Sequence, residues 1–230
     1  MTETQATRLI LFDCDGTLVD SEWLYNSITA ELLNGLGFSE YTPELCIELF
    51  AGQAWSSIKK TLEAKHGMQI PRDIVERYIA ISNQKMDTNL NTPEGIIALL
   101  EDVQGHYSIC VASNGERNNV IKSLTVCGLK PFFPDEHIFT KIQVERPKPA
   151  PDLFLYAAEQ MGYAPEYCTV IEDSIAGVLA GVAAGMHVIG FTGCVHDKAQ
   201  QRAKLEDAGA DAIYARMDEV SAALLGSFKP

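Results

Sequence analysis

Two carboxylates one position apart, Asp13 and Asp15, stand out as residues that could do chemistry. They close the run Leu9-Ile10-Leu11-Phe12-Asp13-Cys14-Asp15-Gly16-Thr17-Leu18-Val19-Asp20. The four apolar residues before them read as a strand buried on both faces. Unpaired acids at such a strand end do not belong in a core, because taking a charge out of water is very costly. Acids held this close repel, and a hard divalent cation with oxygen ligands suits them as counter-charge. Taken alone, Asp15-Gly16 also reads as a turn that Asp13 caps.

The other strand ends carry related groups. Ser108–Ala112 runs into Ser113-Asn114-Gly115, and Cys168–Ile171 runs into Glu172-Asp173-Ser174. His137–Thr140 leads to Arg146-Pro147-Lys148-Pro149, and His187–Phe191 ends on Thr192-Gly193. In open α/β sheets the functional crevice lies at the carboxyl ends of the strands. Phosphoryl transfer needs a nucleophile, a divalent cation and donors for the non-bridging oxygens. Asp13 suits the nucleophile, forming an aspartyl-phosphate, and Asp15 the general acid and base. Asp13 and Asp173, with Glu172 as a further acid, suit Mg²⁺. Ser113, Asn114 and Lys148 are the phosphate-binding candidates, with backbone N–H groups near Cys14 and Asp15.

Each group also has a structural reading. Ser113-Asn114-Gly115 suits a helix N-cap and turn. Lys148 suits an exposed loop, although Pro147 and Pro149 restrict its backbone. Glu172-Asp173-Ser174 suits the cap of a helix over Ile175–Ala184. Arg8, Arg117, Lys122 and Lys141 read as solvated or structural cations.

The elements that must position these groups fall into two compositions. Helical spacing runs through Asp20–Leu36, where Trp23, Leu24, Ile28, Leu32 and Leu33 share a face, then Thr42–Phe50, Trp55–His66 and Pro71–Met86. From Asn91 onward, short apolar strands alternate with helices, the pattern of a parallel sheet. The expected architecture is α/β: a Rossmann-like parallel-sheet core with helices on both faces, residues 1–19 and 89–230, carrying an inserted all-helical cap over residues 20–88.

At 230 residues the chain is long enough to bury a sizeable core. A net charge of -13 argues against a nucleic-acid partner, which calls for a basic face. No stretch is long and apolar enough to span a bilayer, and the first residues lack the pattern of a signal peptide. The six scattered cysteines, with no CxxC pair, fit reduced thiols in a cytoplasmic protein. A monomer or weak homo-oligomer is expected.

Asp13-Cys14-Asp15-Gly16-Thr17-Leu18-Val19-Asp20-Ser21 resembles the DxDGTLxDS signature of the haloacid dehalogenase-like phosphatases. Ser113-Asn114 is similar to that family's second motif, Lys148 in RPKPAPD to its third, and Glu172-Asp173-Ser174 with Gly177 to its fourth. The four occur in order across essentially the whole chain. The resemblance implies a Rossmann-like core with a helical cap, as in the β-phosphoglucomutase-like and phosphoglycolate phosphatase-like branches. It implies Asp13 as nucleophile, Asp15 as acid/base and as metal ligand through its carbonyl, and Glu172 and Asp173 as metal acids.

Departures from the pattern bear on the reaction. Metal-free dehalogenases of the superfamily lack the second aspartate, so Asp15 argues against C–Cl hydrolysis. The mutases carry a cap histidine where Tyr25 stands here, and a basic cap loop where this chain has Phe50-Ala51-Gly52-Gln53-Ala54-Trp55. The expectation is therefore a Mg²⁺-dependent phosphatase of a sugar, sugar-acid or polyol phosphate. A sugar-phosphate mutase and a non-enzymatic phosphoacceptor module are the alternatives. The cap is expected to set specificity, with Gln53, Tyr25 and Trp55 as substrate-facing candidates. Trp55 also reads as a residue of the cap's own core.

Overall fold

The structure is a computed structural model that describes residues 8–50, 53 and 55–226, with 83 and 87–89 described by backbone alone. Its contacts divide the chain into two compact units: Ser21–Leu90, and the segments that end at Asp20 and resume at Asn91.

The chain opens on strand β1 (Arg8–Phe12) and then builds the helical unit: α1 (Glu22–Gly35), α2 (Pro43–Phe50), α3 (Trp55–His66) and α4 (Ile74–Asn89). Helix α1 packs against α2 and α4. It buries Leu24, Ile28 and Leu33, the face that helical spacing implies. Trp23, read from spacing as part of that face, is instead half exposed. Position 23 directly precedes Leu24, and neighbours on a helix point about 100° apart. Tyr41 ties the unit together: its buried ring stacks on Phe50, and its hydroxyl bonds His66 Nε2 at 2.9 Å.

Past Asn91 the chain continues as α5 (Ile96–Val103), β2 (Tyr107–Ser113), α6 (Arg117–Val126), β3 (Ile138–Thr140) and α7 (Asp152–Met161). It finishes with β4 (Cys168–Glu172), α8 (Ile175–Ala183), β5 (His187–Phe191), α9 (Lys198–Asp207), β6 (Ala212–Tyr214) and α10 (Met217–Gly226). Among the described residues the strands form one parallel sheet in the order β3-β2-β1-β4-β5-β6. This is the expected α/β architecture. Alternation along the strands sends side chains to both faces. Leu9 and Leu11 of β1, Cys110 and Ala112 of β2, and Cys168 and Val170 of β4 pack on Leu153, Phe154 and Ala157 of α7 and Val178 of α8. The opposite face holds Ile10 and Phe12, and there the Tyr107 hydroxyl donates to Leu224 O of α10 at 3.0 Å. With both faces covered, the strands read as unbroken apolar runs.

Central β1 pairs Phe12 with Val111 of β2 and with Ile171 of β4. This register brings the residues just past the ends of β1, β2 and β4 side by side. Where the chain leaves and re-enters this unit, the Asp20 N–H donates to Asn91 O at 2.9 Å. No disulfide joins any of the six cysteines. Among the described residues no helix is long and apolar enough to cross a membrane.

Candidate active site

Beyond Phe12 the Asp13 N–H still donates to Ile171 O at 3.0 Å, so Asp13 continues the ladder that positions β1. The chain then folds back. Leu18 and Val19 N–H both donate to Cys14 O at 2.9 Å, and Gly16 N–H donates to Val19 O at 2.7 Å. Gly16 has φ +82°, a region glycine enters without strain. A Cβ there would lie 2.0 Å from Asp173 Oδ2, so the loop after β1 and the loop after β4 fit together only through a glycine.

The buried centre of the site is Lys148. Its Nζ lies 2.7 Å from Asp13 Oδ1 and 2.6 Å from Glu172 Oε1, and 4.6 Å over the ring of Phe154. Glu172 is fully buried at the end of β4. Its Oε2 accepts from both Ser174 N–H and Ser174 Oγ, each at 2.9 Å. Ser174 also N-caps α8, accepting from Gly177 N–H at 3.0 Å. The cap that the sequence suggests and the acidic site are thus built from one turn. Carboxylate oxygens of Asp13, Glu172 and Asp173 lie within 4.8 Å of one another.

The electrostatics follow from this crowding. Burial pushes the Asp13 carboxyl up to about 8, with Glu172 adding to the rise and Lys148 opposing it. Burial, then the charges of Glu172 and Asp13, hold Asp173 well above the usual carboxylate range. Burial would lower Lys148, yet Asp13 and Glu172 together raise it, so the lysine stays an ammonium. Three carboxyls around one ammonium cannot all ionise in so desolvated a pocket unless a further positive charge joins them. An all-oxygen donor set of this size and charge fits a hard divalent cation.

Ser113, at the end of β2, is buried, and its Oγ accepts from Gly115 N–H at 3.0 Å, which leaves the hydroxyl proton for another acceptor. A Cβ on Gly115 would come within 3.9 Å of Asp15 Oδ2, so the Asp15 carboxylate lies along the same loop. The structure gives the Asn114 side chain, a phosphate-binding candidate from the sequence, a contact of its own with the lysine. Its Nδ2 donates to Lys148 O at 3.0 Å and its Oδ1 accepts from Lys148 N–H at 3.1 Å. Both ends of the amide bond the lysine's backbone, so the side chain positions Lys148. The segment Ser113-Asn114-Gly115 is also not the helix cap: α6 starts at Arg117, after Glu116. Arg117 is structural, as read, donating to Ile138 O and, at 2.7 Å, to Asp135 O beside edge strand β3.

In the helical unit, Tyr25 and Trp55 both pack on Tyr78, with ring centroids 6.2 and 5.4 Å from it. Gln53 is exposed and its Nε2 donates to Leu49 O at 2.7 Å. Residues 51, 52 and 54 of the loop compared with the mutases lie outside the described residues. Phe154, under the lysine, is missed by sequence reading. An aromatic on the buried face of a helix carries no signal that distinguishes it from any other core ring.

Comparison with known proteins identifies the family. The family described as haloacid dehalogenase-like hydrolase matches residues 10–191. The chain is 33% identical to 6-phosphogluconate phosphatase of Escherichia coli (strain K12), over 82% of this chain and 84% of that protein. It is 32% identical to hexitol phosphatase A of the same organism, over 78% of this chain and 80% of that one. A haloacid dehalogenase family hydrolase from Deinococcus radiodurans R1, solved with bound phosphate and sodium, superposes with a TM-score of 0.84 at 32% identity, covering 96% of each chain. The family match begins inside β1 and ends with β5, so it spans every strand end that carries a reactive side chain. The chain therefore belongs to the haloacid dehalogenase-like hydrolases.

Proposed function

We propose that this phosphoric monoester hydrolase removes the phosphoryl group of a small phosphorylated sugar, sugar acid or polyol through an aspartyl-phosphate on Asp13. The observation that carries the reading is the buried cluster in which Lys148 bridges Asp13 and Glu172 beside Asp173. In the first step an Asp13 oxygen bonds to phosphorus while the bond to the leaving oxygen breaks, and Asp15 gives that oxygen its proton. In the second, Asp15 takes a proton from water, whose oxygen bonds to phosphorus as the Asp13 carboxylate departs. Lys148 and the Ser113 hydroxyl hold the phosphoryl oxygens, where negative charge is greatest. Mg²⁺, when bound through Asp13, Asp15 (by its carbonyl), Glu172 and Asp173, would offset the charge of the acids and of the phosphate.

The substrate class rests on the relatives named for 6-phosphogluconate and hexitol phosphates, both hydroxylated chains. Gln53, Tyr25 and Trp55 are the proposed contacts to the leaving group, an amide for hydroxyls and two rings for carbon faces. The test is phosphate release from a panel of sugar, sugar-acid and polyol phosphates, with and without Mg²⁺. The expected result is turnover that needs Mg²⁺, is highest on sugar-acid or polyol phosphates, and disappears in Asp13→Asn. Activity that survives both chelation and Asp13→Asn would overturn the mechanism, and a preference for nucleotides or pyrophosphate would overturn the substrate class.

A further inference from the structure

Helix α9 contributes nothing to the motifs at the strand ends, yet one of its side chains reaches them. Its first turn is held firmly. The Asp197 carboxylate accepts from Gln200 N–H at 2.9 Å, and Gln201 N–H donates to Asp197 O at 3.0 Å. From this turn Gln201 Nε2 donates to the backbone carbonyl of Asp173. The other edge of the same peptide, the Ser174 N–H, donates to Glu172 Oε2 at 2.9 Å. The peptide joining Asp173 to Ser174 is therefore held at both ends. A peptide turns as a rigid plane about its flanking Cα atoms, so bonds on opposite edges oppose its rotation.

That plane starts at the Cα from which the Asp173 carboxylate extends. The carboxylate lies against Gly16, in space that a single Cβ would fill. On that side it has no room to compensate for a turn of its own backbone. We propose that Gln201 is a positioning residue for the metal-binding acid: its hydrogen bond to the Asp173 carbonyl sets the direction of the Asp173 carboxylate. The inference rests on the reading that Asp173 holds Mg²⁺. Partners that orient metal ligands from outside the coordination shell are typically worth about 10–100-fold in metal affinity.

The experiment is Mg²⁺ titration calorimetry on the purified full chain and its variants. Gln201→Leu removes the donor at similar bulk, and Gln201→Glu keeps the shape but sets a carboxylate against the carbonyl. Both are expected to weaken Mg²⁺ binding about tenfold. The metal-free melting temperature should stay within about 2 °C of the parent, as for a surface substitution. Lost turnover should return with excess Mg²⁺, and the substrate KM should not move. Lys198→Ala, an exposed change in the same helical turn, should leave Mg²⁺ affinity as it was.

The inference fails if both Gln201 variants bind Mg²⁺ within about twofold of the parent, or if Lys198→Ala weakens binding as much as they do. Asp173→Asn separates this failure from that of the metal reading. If Asp173→Asn binds Mg²⁺ normally, both readings fall. If it loses binding while the Gln201 variants keep theirs, only the role of Gln201 falls.

Discussion

Replacing Gly177 by alanine sets a general rule against a specific contact. Alanine in a helix is favoured over glycine by about 1 kcal/mol, so α8 alone would gain from the change. In the folded chain, however, a Cβ at Gly177 would lie 1.8 Å from both Cδ and Oε1 of Glu172. Ordinary carbon contacts lie at about 3.5 Å, so the carboxylate would have to retreat by about 1.5–2 Å. It now accepts Lys148 Nζ at 2.6 Å and two groups of Ser174 at 2.9 Å, and bonds stretched that far no longer count as hydrogen bonds. Breaking a buried charge pair costs about 3–5 kcal/mol, which leaves Gly177→Ala destabilised by about 2–4 kcal/mol after the helix gain. Lys148 would keep Asp13 but lose its second anchor. Turnover should fall by about 10² if the ammonium stabilises the reacting phosphoryl group. Urea denaturation in the presence of chelator, alongside phosphate-release kinetics, measures both effects. Gly35→Ala is the control, because a Cβ there meets nothing within 4 Å, and it should be neutral or slightly stabilising. A Gly177→Ala protein as stable and as active as the parent would refute the placement of Glu172.

Asn114→Ala removes two hydrogen bonds to the Lys148 backbone, worth about 2 kcal/mol together, and should lower kcat by roughly thirtyfold. Steady-state kinetics with Mg²⁺ titration test this, and an unchanged kcat would show that the lysine holds its place without the amide. The raised Asp13 carboxyl makes a prediction about pH. The folded protein holds that proton up to about 8, whereas the unfolded chain releases it near 3.8. Between those values the folded state binds more protons, so the Asp13 contribution to stability falls as pH rises. Denaturation in chelator should show stability dropping across that window relative to Asp13→Asn, and a parent that holds or gains stability relative to Asp13→Asn as pH rises would contradict it. Saturating Mg²⁺ should flatten the same profile, because a ligand of the folded state alone adds stability according to its concentration over its Kd.

The acids at the ends of β1 and β4 and the hydroxyl at the end of β2 were legible in the sequence. A buried strand is a short apolar run, and a charge directly after it has few structural uses. The parallel sheet was legible for the same reason, and so was the Ser174 cap, since caps and strand ends are local features. Helix α9 was not, because it buries only Leu205 and so has no apolar period to read. The roles of Asn114 and Gln201 were likewise hidden, since an amide in a loop or on a helix announces no partner.

Tertiary structure decided the rest through long-range pairs. Lys148 meets Asp13 across 135 positions and Glu172 across 24, and Gln201 meets Asp173 across 28. The sheet register makes these neighbours by setting β1 between β2 and β4, so that loops distant in sequence close over one point. The sequence by itself determined which charges would gather at the strand ends. The fold decided which carboxylate holds the lysine, which amide holds its backbone and how much charge is left over, because burial and distance exist only once the strands are paired.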